Sequence, residues 1–276
     1  MLTFNTENME LQNFPFKPPL MDYIFKNAKP EHLIKFYQTC KFFYNKFRRN
    51  IILNLEIADY DEAEVLDPTK TIICGSNPNL QKLADFWITD SLIVRYFMID
   101  NYIPLFTQCV IKKLELCECL SWDDYVVLTK AGTVEDLKVE VIVSVPNGNM
   151  SFAPIEAIIS QVPNATSIEI SGNFITAKTF AALVSLDRKA KLSKFVLKDI
   201  GFPYINRITE SYSDFLSENV DADCNILIDF KLLPEFNDHD RERNGLMKEL
   251  EKQFGEAAAL VLQKIKMLKE VALADN

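Results

Sequence analysis

The sequence predicts an α/β chain: a short three-helix unit at the N-terminus, an irregular strand–helix solenoid behind it, and a capping helix at the end. Three observations predict it. From residue 111 onward, strand-like runs alternate with helix-like runs. Their centres fall near Leu114, Leu137, Ile168, Phe195 and Ile226, spaced 23, 31, 27 and 31 residues apart. Such periods mark units that bury a face only against their neighbours, and the intervening helices imply parallel strands. Apolar residues also step at helical spacing within residues 14–49 and again within 239–272. A compact α/β domain with a sheet and crossover helices fits the same pattern and stays open beside the solenoid.

The elements follow in order. Residues 1–13 are polar and read as a flexible terminus. Pro18 and Pro19 suit a helix start, where the missing N–H would be an orphan anyway. Leu20, Ile24 and Phe25 then share one face. Asn27 to Pro30 ends this helix, and Pro30 opens the next, with Glu31 near its positive end. Leu33, Phe36, Tyr37 and Cys40 follow at i, i+3, i+4 and i+7. A third short segment, Phe43 to Phe47, completes the unit before Arg48-Arg49. So small a unit has too little core to stand alone comfortably and is expected to lean on a partner or on the rest of the chain.

The ordered set Phe14-Pro15, Leu20, Ile24-Phe25, Pro30-Glu31-His32-Leu33 and Cys40-Lys41-Phe42-Phe43 resembles an F-box. The variant is most similar to the F-box-type proteins expanded in nematodes. The resemblance covers residues 14–49. Phe14-Pro15 stands where the family has Leu-Pro, and Pro18-Pro19 offers an alternative start. The resemblance implies that this unit binds the Skp-type adaptor of cullin ubiquitin ligases. It assigns the contact to Pro19, Leu20, Ile24, Phe25, Leu33 and Phe36. The alternative is an ordinary helical cap that buries its apolar face on its own body.

Residues 50–233 form the body. Ile51 to Ile57 alternates as a strand, Asp59 to Lys70 is an acidic loop, and Thr71 to Cys74 reads as a second short strand. Asn79 to Trp87 is a short helix or loop. Leu92 to Met98 and Ile103 to Val110 are apolar and carry no decisive period. A strand over Ile111–Leu116 precedes Ser121-Trp122-Asp123-Asp124, a capping box for a helix over Tyr125–Ala131 that Gly132 ends. Strand Leu137–Val143, helix Phe152–Gln161, strand Ser167–Ile170 and helix Thr176–Leu186 come next. Strand Leu192–Leu197, helix Ile208–Glu218 and strand Asn225–Phe230 close the series. The body resembles a degenerate leucine-rich repeat, a fold that often follows the box in the nematode proteins, although the repeat consensus is missing. A solenoid would offer Lys113, Glu115, Lys138, Glu140, Glu169 and Lys198 on an open strand face. Single charges there are solvated by default.

Residues 234–276 hold the last helix. Met247, Leu250, Phe254, Ala258, Val261, Ile265, Leu268 and Ala272 step by three and four. The pattern reads as a helix capping the last repeat, with a dimerising coiled-coil seam as the alternative.

Composition narrows the function. The chain has 276 residues, 25% charged and 48% hydrophobic, with a net charge of −9. Residues 1–50 carry net +4, residues 51–233 net −11 and residues 234–276 net −2. An acidic body disfavours nucleic acid as the main partner. No apolar run approaches the length of a membrane span and no signal segment is visible, so the protein is expected to be soluble and intracellular, cytoplasmic or nuclear. Six cysteines with no Cys-x-x-Cys pair, and two histidines, give no metal-ligand spacing, so no metal or cofactor is expected. Cys117 and Cys119 would share a strand face. Asp123-Asp124 sits where carboxylates cap a helix, and His239 in a polar linker. Phosphate-loop and nucleophile-elbow motifs are missing. Taken with these exclusions, the resemblance implies a non-enzymatic adaptor: a box for the Skp-type adaptor of a cullin ligase and a repeat body for a target protein. A scaffold subunit with a degenerate box, and an enzyme whose site assembles only in space, are the alternatives.

Overall fold

A computed structural model describes residues 16–59, 64–66, 70–95, 103, 106, 108–144, 151–176, 178–201, 209–231 and 240–274. The N-terminal unit holds three helices, α1 (Pro18–Asn27), α2 (Pro30–Thr39) and α3 (Lys41–Phe47). Prolines punctuate it. Lys17 and Lys29 each precede a proline and take extended backbone, with ψ of 147° and 154°. The clash between a proline ring and the preceding residue disfavours helix there, so α1 starts at Pro18 and the chain turns before α2 at Pro30. Met21, Phe25, Leu33, Tyr37 and Tyr44 form the core of this unit. Phe25 stacks on Phe47 at a centroid distance of 4.0 Å.

The body is α/β, with a mostly parallel, open sheet. Its main strands are β1 (Asn50–Ala58), β3 (Thr71–Cys74), β4 (Phe86–Val94), β5 (Gln108–Leu116), β7 (Asp136–Val139), β10 (Ser167–Ser171), β11 (Leu192–Gly201) and β12 (Val220–Lys231), with β2 (Val65–Leu66) antiparallel to β3. The spatial order is β12-β11-β10-β7-β5-β4-β1-β3-β2. From β1 to β12 each of these strands, β3 aside, lies beside the one that preceded it. A 3₁₀ helix over Pro78–Asp85 leads from β3 into β4. Strands β6 (Leu120–Ser121), β8 (Ile142–Ser144) and β9 (Ser151–Phe152) make a second, small sheet.

Helices α4 (Trp122–Thr129), α5 (Ile155–Ser160), α6 (Thr179–Val184) and α7 (Thr209–Asn219) connect the strands, and α8 (Asp240–Ala274) follows β12. Consecutive helices pack on one another: α5 on α6, α6 on α7, α7 on α8. The strand centres expected from sequence lie in one row. Leu114, Leu137, Ile168, Phe195 and Ile226 are successive register partners, and the row extends through Leu92 to Leu55. All but the half-buried Ile226 are buried. Each such side chain contributes about 1.5–3 kcal/mol on burial.

Several boundaries differ from expectation. The run Leu137–Val143 is two strands, because the chain leaves the main sheet after Val139 and joins the small one at Ile142. Phe152 belongs to β9, and Pro154 delays α5 until Ile155. Phe86–Val94 is a full strand. Asp90 adopts φ of 55° there, making a bulge that breaks the alternation. The expected elements at Asp59–Lys70, Leu92–Met98, Ile103–Val110 and Ile208 fall partly outside the described residues, as do residues 1–13. His239 lies wholly outside them.

Helix α8 runs antiparallel along β12, the last strand of the sheet. Glu251 Oε1 accepts from the Phe230 N–H at 3.3 Å, Lys266 pairs with Asp223 at 3.0 Å and Lys269 with Asp221 at 3.1 Å. Phe254, Ala258 and Val261 are buried against the body. Leu268 is not part of that face: it is 61% exposed. No helix among the described residues is long and apolar enough to cross a membrane.

Candidate interaction surfaces

The first surface lies on α1. Phe16, Leu20 and Tyr23 are 53%, 46% and 66% exposed. Leu20 and Tyr23 sit at i and i+3 on one side of the helix, and Phe16 lies just before it. Pro19 is exposed beside them, and Ile24 is half-buried at their border. Phe25 and Leu33 lie elsewhere. They are buried in the unit's own core, at 3% and 0% exposure, so they support the surface from beneath and do not form it. Phe36 is half-buried and packs on Phe25 at 5.2 Å. A three-helix unit this small needs its largest apolar side chains inside, which is why helical spacing alone assigns both sets to one face. Tyr23 was legible as the neighbour of Leu20 at that same spacing.

This unit rests on the body at one end. Ile51 of β1 and Trp87 of β4 pack against its core. The Arg49 guanidinium lies 5.4 Å from the Trp87 ring centroid, a cation–π contact. The Tyr37 hydroxyl donates to the Phe47 carbonyl at 2.8 Å, and the Arg49 N–H donates to that hydroxyl at 3.2 Å. These bonds fix the turn from α3 into β1.

The second surface is the sheet face turned away from the helices. Strand alternation puts the neighbours of the buried leucine row there. Register partners across the sheet read Ile72, Glu56, Ile93, Glu115, Lys138, Glu169, Val196 and Leu227. Each carboxylate in this row meets two cations. Glu56 pairs with Arg95 at 2.9 Å and Lys70 at 3.7 Å. Glu115 pairs with Lys138 at 2.8 Å and Lys113 at 3.8 Å. Glu169 pairs with Lys194 at 2.6 Å and Lys198 at 2.8 Å. Burial works against ionising Glu169, yet its two lysines outweigh that cost and hold the carboxyl at about 2. The Lys138 hydrogen bond likewise lowers Glu115. Sequence reading placed Lys113, Lys138 and Lys198 here correctly, but it had Glu115 and Glu169 as exposed, and it missed Glu56, Lys70, Arg95 and Lys194.

The remaining candidates have structural explanations. Ser121 caps α4: its Oγ accepts from the Asp124 N–H at 3.2 Å and donates to Asp124 Oδ2 at 2.5 Å. Burial raises the Asp124 carboxyl despite that bond. This is a helix cap and not an acid–base pair. Burial also pushes the Cys109 thiol up to about 12 and raises Cys117, the opposite of an activated nucleophile. Among the described residues, no group of three or more His, Cys, Asp or Glu side chains could hold a metal ion. Comparison with family models, with curated proteins and with solved structures finds no match.

Proposed function

We propose that the chain is a protein-interaction adaptor, an F-box-like unit on a degenerate leucine-rich-repeat-like body. In this reading the N-terminal unit binds a Skp-type adaptor of a cullin ubiquitin ligase, and the body holds a target protein for ubiquitination. The chain then supplies positioning, and the ligase's other subunits supply the chemistry. The observation that carries it is the exposure of Leu20 and Tyr23 on α1, and of Phe16 just before that helix, within the segment that resembles an F-box. Large apolar side chains clustered near one helix and left in water are costly unless a partner covers them. The body reading draws support from the successive parallel strands, each beside its predecessor in the sheet.

Co-expression with a Skp-type adaptor tests the proposal. Wild-type protein is expected to co-purify with it, and a Leu20→Asp, Tyr23→Asp variant is not. Both positions are exposed, so the variant keeps its fold. A folded wild type that never retains the adaptor overturns the proposal. A second reading is a scaffold subunit whose box serves only as a cap. The packing of the unit on Ile51 and Trp87 favours it. It predicts that adaptor binding is absent and that Leu20→Asp, Tyr23→Asp changes neither assembly nor stability.

A further inference from the structure

The charged groups of the open sheet face are sorted by depth. Lys70, Arg95, Lys113, Lys138, Lys194 and Lys198 each leave 38–60% of the side chain exposed, whereas Glu56, Glu115 and Glu169 beneath them leave 11–12%. Asp136 and Glu140 are further acids on this face, one half-buried and one exposed, and Asp90 and Asp199, at the bulges of β4 and β11, are paired with the exposed Lys112 and Lys231. A molecule approaching the face therefore meets mostly cations, on a chain whose net charge is −9. The carboxylates beneath them keep the lysine stems upright and aligned in register. In the same row, Ile93 is half-buried and Val196 is buried at 3% exposure. At the β1 end a cavity of about 230 Å³ opens among Asn54, Glu56, Lys70, Ser91 and Ile93.

We infer that this face docks an acidic, extended segment of a partner protein, laid across β1, β4, β5, β7, β10 and β11. The inference rests on the reading of the body as the target-holding part, and it gives that target a chemistry. Five strand spacings of ~4.8 Å span about 24 Å, the reach of about seven extended residues. Alternate side chains of such a segment face the sheet, so a run of Asp or Glu at every second position meets the cations. Paired cations interleaved with acids suit a peptide better than a nucleic acid strand, which binds on aromatic platforms and a broadly basic surface. The row from Ile72 to Leu227 has no aromatic residue.

The test is fluorescence anisotropy with a labelled peptide of ten alternating Glu and Ser residues. Controls are a Lys–Ser peptide, an all-Ser peptide and a ten-nucleotide uridine strand. The acidic peptide is expected to bind alone, and to weaken about tenfold or more between low and moderately high salt, as exposed charges are screened. Glu115→Gln leaves both lysines in place and is expected to tighten binding about two- to fivefold. Lys113→Gln, Glu115→Gln, Lys138→Gln removes two cations together with the acid beneath them, so no buried carboxylate is stranded, and is expected to weaken binding about tenfold. No binding at low salt, equal binding of the uridine strand, or indifference to both variants overturns the inference. Adaptor co-purification on the same preparations separates the two claims. A wild type that holds the adaptor but ignores the acidic peptide sinks the inference and leaves the proposed function standing. Peptide binding without adaptor binding does the reverse.

Discussion

Two pairs of residues show how local chemistry shapes the sheet. Asp90 and Asp199 adopt φ of 55° and 51°. Each sits at a bulge in its strand, and each meets a lysine from the next one, Lys112 at 3.2 Å and Lys231 at 3.8 Å. Aspartate tolerates the left-handed region better than most residues, and a β-branched side chain does not. Asp199→Val is therefore expected to cost about 1–3 kcal/mol in urea unfolding, while Asp199→Gly costs little. Glu169 makes a pH-dependent contribution. Its folded carboxyl titrates at about 2, below the ordinary 4.5. A depressed carboxyl stabilises the fold above its unfolded pKa, and that stability is lost as pH falls through the folded pKa. Thermal melts from pH 5 to 2 should therefore show wild type losing more stability than Glu169→Gln within the window from 4.5 down to 2. Equal slopes would mean that the two lysines do not hold the carboxylate ionised.

At the scale of elements, α8 is the cap that the last strand requires. A parallel sheet that ends in an open edge invites pairing with other chains, and a covering helix prevents it. Phe254 anchors that cover, against Phe180 at 5.8 Å, Tyr212 at 4.6 Å and Phe230 at 5.5 Å. Phe254→Ala is expected to destabilise by about 3–5 kcal/mol, as buried aromatic truncations do. Removal of residues 240–276 should leave β12 bare and give aggregation in size-exclusion chromatography. A well-behaved monomer after that truncation would show that α8 does not protect the edge. The N-terminal helices divide their apolar residues between two jobs. Leu33→Ala is expected to loosen the unit itself, whereas Leu20→Asp leaves it folded. Circular dichroism melts of the two variants distinguish them.

The molecule as a whole was partly legible before its structure. The five strand centres were readable because a large apolar side chain, buried in four of them and half-buried at Ile226, lies at the middle of each strand, and these positions turn out to be register partners. Strand β4 was not readable, since the bulge at Asp90 shifts the alternation that marks a strand. The charge ladder was half readable. Alternation puts Glu115 and Lys138 on the open face, but only register brings Lys194 and Lys198 to Glu169, 25 and 29 residues away. On α1 the periodicity found Leu20 yet could not divide an inner from an outer apolar face, because both faces of so short a unit are apolar. The account's central claim is that the outer face belongs to a partner. Calorimetric titration of a purified Skp-type adaptor into the wild-type chain and into Leu20→Asp, Tyr23→Asp tests it most directly. The account predicts saturable binding to the wild type, lost in the variant although its melting curve is unchanged. A folded wild type that gives no binding heat or complex, or a variant that binds as well as the wild type, would contradict it.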